Sequence, residues 1–367
     1  MPIYKTTQKN KDGLTKYKVR YNYIDDKGKA RQLTRVAYGL QEAKSLEAEL
    51  AEQAMPSNNM SLDELFDYWQ SSAEGELKRA SIKARGKNYV YRVQPYLGKM
   101  KIQKITPVIL NEWKMKVSRL DCSLTTKKNT YRDFSRMLNF AVKMDFIKDN
   151  PLRKVGTFKD SSYIKPEMQY YTPEEWQRYK AVALQDAIDR DIYDYYVFFC
   201  IAYYTGMRKG EIHALRWNCL RGNILSVKTS ITQKMTGTDV ETPPKNKSSI
   251  RDITIPSNLL QLLTEHRERQ QRIPSWNENG FICGYYRPLR DSTIEYLNTK
   301  FAKAAGLKHI RIHDFRHSHA SVLINAGVNP LDVAHRLGHS STVQTLKTYS
   351  HLFPKETDKA LPILEKI

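Results

Sequence analysis

Three observations predict a mainly α fold with small β elements (α+β) for this chain of 367 residues, a length that suits two or three domains. Apolar residues recur at helical spacing through most of the sequence. Period-two alternation is confined to a stretch near the N-terminus and another around 224–256. Polar breaks near Pro56 and Pro151 divide the chain into three zones, about 1–56, 60–153 and 167–367, with 154–166 reading as a linker.

In the first zone, Lys16 to Tyr23 alternates, Asp25 to Lys29 makes a turn, and Arg31 to Tyr38 reads as a second strand. Glu42 to Gln53, rich in Ala, Glu and Leu, follows as a helix, so the zone is a two- or three-stranded sheet with one helix. Its exposed face is expected to carry Lys16, Lys18, Arg20, Arg31 and Arg35, a basic surface able to lie in a DNA groove. A merely solvated charged face is the alternative.

The second zone opens with Ser61 and Glu64, spaced as a capping box, ahead of Leu62, Leu65, Phe66 and Trp69 on one helical face. Further helices are expected over about 81–96, 107–120 and 125–145, the last with Tyr131, Phe134, Met137, Leu138 and Ala141 pointing to a core. Lys78, Arg79, Lys83, Lys127 and Lys128 are the cations expected to meet phosphates, with solvated surface as the alternative.

Charge narrows the function before any motif does. The chain has 60 Lys and Arg against 39 Asp and Glu, a net charge of +21, while 40% of residues are hydrophobic. An excess that large on an otherwise ordinary composition points to a polyanionic partner, most simply nucleic acid. The N-terminal MPIYKTTQKNKDG has no apolar core, so a signal peptide is not expected, and no run reaches the ~18 apolar residues of a membrane span. Cys122, Cys200, Cys219 and Cys283 form no CxxC pair, which fits reduced thiols in a cytoplasmic protein better than a disulfide or zinc framework.

The third zone, mixing helices with a short sheet, holds four islands of chemistry. After the apolar run Tyr195 to Tyr204 comes TGMRKGE, where Gly206 breaks a buried helix and Arg208 follows at its edge, with Glu211 three residues on to orient it. Next is the basic tip TPPKNKSS, with Lys245 and Lys247. In HDFRH, His313 and Arg316 share a helical face and could converge on one anion. The last island is LGH, ending at His339, followed by TLKTYSH with Tyr349. His313 and His317 also have the spacing of a zinc helix, but no HExxH and no cysteine pair supports a metal.

Taken in this order, TGMRKGE, HDFRH, LGH and TYSH resemble the signature of the tyrosine recombinases, in which Arg, Lys, His-x-x-Arg, His or Trp, and Tyr follow one another. The likeness covers the whole third zone, a mixed α/β catalytic domain with a C-terminal docking segment. The second zone is similar to the family's helical core-site DNA-binding domain, and the first to the arm-type DNA-binding domain of integrases from temperate phages and conjugative transposons. The resemblance implies that Arg208 and Arg316 grip the scissile phosphate while His339 donates to it. Tyr349 then attacks phosphorus, with His313 as general base and Lys245 as general acid, Lys247 being the alternative lysine. It implies a 3′-phosphotyrosine intermediate, a homo-tetramer on double-stranded attachment-site DNA, and accessory proteins that bend DNA or direct excision. No cofactor is implied: the intermediate conserves bond energy, and the chain lacks a P-loop motif.

The residues are suited to that chemistry. Fork-shaped guanidinium groups match an anionic phosphorane without a metal, and each preorganised donor is typically worth about 3–4 kcal/mol. A phenol needs a neighbouring base near neutrality, which histidine supplies. A type IB topoisomerase and a catalytically silent DNA-binding protein are the alternatives. The three-zone layout argues against the first and the complete Arg, His and Tyr set against the second. The terminal DKALPILEKI, with Leu361, Ile363, Leu364 and Ile367, is too apolar for a free tail and either docks on a neighbouring subunit or packs on its own domain.

Overall fold

The structure, a computed structural model, describes residues 3–24, 30–53, 60–72, 79–162, 167–232, 239–243, 247–350 and 365. Lys78, Lys245, His351 and the apolar terminal residues expected to dock lie outside the described residues. The chain divides into two compact units, 1–165 and 166–367.

The first unit begins with an antiparallel sheet of β1 (Ile3–Lys9), β2 (Thr15–Ile24) and β3 (Ala30–Tyr38), in that order, followed by α1 (Leu40–Gln53). Strand β1 is an addition to the sequence reading: IYKTTQK offers little alternation and is recruited by pairing with β2. Val19, Ala37, Ala43 and Leu50 are buried between sheet and helix. The register Lys16↔Tyr38, Lys18↔Val36 and Arg20↔Thr34 puts the three expected cations on the face opposite the helix. There the Arg20 guanidinium sits 5.4 Å from the Tyr4 ring, and Lys18 is exposed. Arg31 and Arg35 do not share that face. They pair with Tyr23 and Val19 and therefore belong to the helix side, where they stay exposed. Strand β3 carries apolar residues at both parities (Leu33 and Ala37, Val36 and Tyr38), so its faces can be told apart only once the register is known.

The remainder of this unit is helical: α2 (Leu62–Ser72), α3 (Arg79–Arg92), α4 (Gln94–Leu97), α5 (Pro107–Ser118), α6 (Leu124–Lys143) and α7 (Leu152–Val155). The expected capping box is present: Ser61 N–H donates to Glu64 Oε2 at 2.7 Å and Glu64 N–H to Ser61 Oγ at 3.2 Å. The helix expected over 81–96 is broken at Val93, because Pro95 in the first turn of α4 cannot donate to the preceding turn. Leu65, Phe66, Tyr89, Trp113, Phe134 and Leu138 fill the core, and Phe158 packs edge-on to Trp113. Phe158 thus fixes part of the segment read as linker to the helical core. Lys83 and Lys128 are exposed, whereas Lys127 Nζ donates to the Ser118 carbonyl at 2.7 Å and so closes the end of α5.

The second unit contains α8 (Pro173–Arg190), α9 (Asp194–Thr205), α10 (Lys209–His213), β4 (Leu220–Arg221), β5 (Ile224–Val227), β6 (Ser230–Thr232), β7 (Val240–Thr242), β8 (Arg251–Thr254), α11 (Ser257–Gln270), α12 (Asp291–Ala304), α13 (Asp314–Asn325), α14 (Pro330–Leu337) and α15 (Thr342–Tyr349). Strands β4, β5 and β8 form one antiparallel sheet, and β6 and β7 a separate hairpin. Helix α9 is apolar nearly all round and is buried accordingly, from Tyr196 to Tyr203. Its central position lets the turn after it, and α13 packed against it, hold the site. No helix among the described residues is long and apolar enough to cross a membrane, and the four cysteines are free thiols.

Candidate functional site

Helix α9 ends in a left-handed turn at Gly206 (φ 64°), whose N–H bonds to the Ala202 carbonyl. A Cβ here would meet His319 Cδ2 and Leu337 Cδ2 at 2.8 Å each, so both the backbone angle and the packing require glycine. Arg208 caps the next helix, α10. Its Nη1 donates to Glu211 Oε1 at 2.8 Å and its Nη2 reaches the Gly338 carbonyl at 3.4 Å. The partner anticipated from sequence is therefore in place, but it also serves a second cation: Arg251 Nη2 donates to Glu211 Oε2 at 3.0 Å. Burial raises the Glu211 carboxyl, yet Arg251 and Arg208 outweigh it and hold it below the usual carboxylate range.

Arg251 itself, buried on β8, spans the site from beneath. It donates through Nε to the Arg336 carbonyl (2.8 Å) and through Nη1 to the Ser249 carbonyl (3.1 Å). Arg316, on α13, donates through Nη1 to the Gly206 carbonyl at 2.9 Å. Its Nη2 is buried and has no hydrogen-bond partner among the described residues. Burial and the nearby Arg208 and Arg251 charges lower this guanidinium to about 9. A buried donor left open beside a second arginine is a socket for an anion.

His339 is delivered by the C-cap of α14, where Gly338 turns the chain at φ 67°. Its Nδ1 lies 2.6 Å from Thr345 Oγ1, on α15, so that one ring nitrogen is engaged within the fold. Burial, then Arg316 and Arg208, hold its imidazole near a pKa of about 3, so at neutrality it carries a single N–H. His313 precedes α13 and stays exposed; burial of part of its ring and the Arg316 charge lower it. Burial first, and then the neighbouring guanidiniums, favour neutral imidazoles here.

Tyr349 closes α15 with only 1% of its surface exposed, and burial pushes its phenol up to about 12. Its Oη lies 2.7 Å from His317 Nδ1. The resemblance implies His313 as the base that takes the phenol's proton. Among the described residues the phenol's hydrogen-bond partner is instead His317, one helical turn further along α13. His313 stacks edge-on against His317 at 5.3 Å between centroids. The second unit thus brings Arg208, Glu211, His313, Arg316, His339 and Tyr349 together and adds His317, Thr345 and Arg251. His317 was visible in the HDFRH island at i+4 from His313, yet spacing alone does not say which of two histidines on one face meets a tyrosine thirty residues away. Lys16, Lys18, Arg20, Lys83, Lys127 and Lys128 belong to the first unit; the side chain of Arg79 lies outside the described residues.

Residues 177–356 match a family model described as "Phage integrase family", and residues 61–118 match "Phage integrase, N-terminal SAM-like domain". The ICEBs1 integrase of Bacillus subtilis (strain 168) is 28% identical over 366 residues, covering 96% of this chain and 96% of that protein. The integrase of Mycobacterium phage L5 is 22% identical over 262 residues, 70% of this chain and 66% of the relative. Among solved structures, the Tn1549 transposon integrase in complex with transposon right end DNA superposes with TM-score 0.67 at 20% identity, over 84% of this chain and 99% of that one. The lambda integrase tetramer bound to a Holliday junction gives TM-score 0.58 at 16% identity, over 98% and 96% of the two chains. These matches place the protein in the class of site-specific DNA recombinases. The chain belongs to the phage integrase family of tyrosine recombinases.

Proposed function

We propose that this recombinase integrates and excises a mobile element by cutting attachment-site DNA with Tyr349. The observation that carries the proposal is the open, buried Nη2 of Arg316, set beside Arg208 and electrostatically coupled to the Tyr349 phenol. A scissile phosphate supplies the missing acceptors, and Arg208 reaches it from the other side. With Thr345 holding His339 Nδ1, the His339 Nε2–H donates to a phosphoryl oxygen as charge builds there. His313, exposed at the N-terminal end of α13, meets the phosphate from the rim.

Tyr349 Oη forms the new bond to phosphorus and the bond to the 5′ oxygen breaks, leaving a 3′-phosphotyrosine and a free 5′-hydroxyl. Lys245 gives the leaving oxygen its proton; Lys247, at the start of the short 3-10 turn Lys247–Ser249 before β8, is the alternative. Reversal by a 5′-hydroxyl from a second duplex rejoins the strand without ATP.

In this reading the chain works as a homo-tetramer on two duplexes in the cytoplasm, on nucleoid DNA, with accessory proteins bending the sites or directing excision. Residues 1–56 bind arm-type sites through Lys16, Lys18 and Arg20, and 60–153 bind the core site through Lys78, Arg79, Lys83, Lys127 and Lys128. Residues 154–166 connect them to the catalytic domain, 167–367, whose last residues dock in the assembly.

Covalent capture tests this. The protein and a Tyr349→Phe variant are incubated with a nicked attachment-site duplex and run in SDS. A stable adduct with the wild type that vanishes in the variant is expected. An adduct that persists in Tyr349→Phe overturns the nucleophile, and binding by both without any adduct supports a silent DNA-binding role.

A further inference from the structure

We propose that His317, with the Asp314 carboxylate on the side of its other ring nitrogen, takes the Tyr349 proton as the phosphotyrosine bond forms, so that a carboxylate–imidazole–phenol relay activates the nucleophile. This rests on Tyr349 being the nucleophile. The geometry has three parts. Tyr349 Oη lies 2.7 Å from His317 Nδ1. His317 Nε2 lies 4.0 Å from Asp314 Oδ1, one turn back on α13. Asp314 is itself buried and fixed, because Arg311 donates to it through Nη2 (2.8 Å), Nε (3.0 Å) and its backbone N–H (2.9 Å). A charge-fixed carboxylate on the Nε2 side favours the tautomer with its proton on Nε2. That leaves the Nδ1 lone pair free to accept from the phenol. The logic is that of any base oriented by a third group against a hydroxyl nucleophile.

Three facts make an acceptor necessary and identify this one. The Tyr349 phenol, buried and raised to about 12, is ionised in only about one molecule in 10⁵ at pH 7. Its burial closes it to bulk water, so the proton leaves to a protein atom. The groups facing His317 are His313, Asp314, Arg311 and Arg316 on or beside α13, Tyr349 on α15, and His339 after α14. Burial, His313 and the arginines together hold the imidazole down to about 4, so it is neutral and able to accept throughout the neutral range.

The step balances. The Oη–H proton moves to His317 Nδ1, Oη bonds to phosphorus, the P–O5′ bond breaks, and the leaving oxygen takes a proton from Lys245 or water. The imidazolium so formed faces Asp314, and it returns its proton to Tyr349 when the strand is rejoined.

The test compares single-turnover cleavage by wild type, His317→Gln, His313→Gln and Tyr349→Phe across pH 6.5 to 8.5, with DNA binding measured alongside. A variant without its base must wait for phenolate, so its rate rises with hydroxide. The wild-type to His317→Gln rate ratio is expected to be about a hundredfold or more near pH 7 and to shrink about tenfold per pH unit. Other ionisations, the leaving-group acid included, affect both proteins and cancel in the ratio. A ring-fluorinated tyrosine placed at position 349, whose phenol is more acidic, should recover part of the His317→Gln loss while changing the wild type less. A pH-independent ratio, or the hydroxide dependence appearing in His313→Gln and not in His317→Gln, overturns the relay. An adduct persisting in Tyr349→Phe overturns the nucleophile itself, which separates the two failures.

Discussion

Thr345 shows how much of the site depends on residues that touch no substrate. It is wholly buried, and its hydroxyl lies 2.6 Å from His339 Nδ1, so it orients that imidazole and, in the proposed function, leaves the other ring nitrogen for the phosphate. Thr345→Val keeps the shape and removes the hydroxyl. Cleavage should fall about tenfold, the worth of roughly one misdirected hydrogen bond, with DNA affinity unchanged; a rate equal to wild type would mean His339 is oriented by something else. Nothing in TLKTYSH marks Thr345 over Thr348, since the choice depends on where α15 is placed against His339. Arg208, Arg316, His339 and Tyr349 stand out because the order of their four islands resembles the tyrosine-recombinase signature, not because any island does so alone. His317 was not, because two histidines at i and i+4 look alike until the partner helix is placed.

At the scale of elements, the site is a junction of helix ends rather than a pocket in a sheet. Gly206 ends α9, Gly338 ends α14, and His313 precedes α13, so chemistry sits where the backbone is free to present carbonyls and side chains together. Gly206→Ala adds left-handed strain and a Cβ at 2.8 Å from two fixed side chains. A loss of at least about 2 kcal/mol in urea unfolding is expected, together with slower cleavage because the Gly206 carbonyl holds Arg316. Unchanged stability would show that the turn can be rebuilt without glycine. Element identity was largely readable from period: the helices of the second zone and the strands around 224–256 occur close to their expected places. The break at Val93 departs from the single helix expected over 81–96, although Pro95 marks it, and the strand β1 gains its structure from its neighbour.

For the whole molecule, buried histidines set a pH limit. His317, His319 and His339 are lowered to about 4, 3 and 3, each by burial first. His319 is fully engaged, with Nδ1 at the Tyr203 carbonyl and Nε2 accepting from Arg336. A histidine depressed in the folded state contributes stability above its unfolded pKa of about 6.5, and that contribution drains as pH falls towards the folded value. Denaturation midpoints of the free protein should therefore drop between pH 6.5 and 4.5, with a buried residue such as His319 contributing up to about 1.4 kcal/mol per pH unit. A midpoint constant across that range would show these imidazoles are not kept neutral. The sequence by itself determined the class of fold, the excess of positive charge and the order of Arg, His and Tyr that resembles the recombinase signature, because periodicity, charge and motif spacing are local properties. Only the tertiary structure decided that Glu211 serves two arginines, that Arg31 and Arg35 face away from Lys18, and that the phenol meets His317. Arg251 reaches Glu211 from β8 and His317 meets Tyr349 through the packing of α13 and α15, while the facing of Arg31 and Arg35 follows from the β2–β3 register; no local pattern encodes any of these.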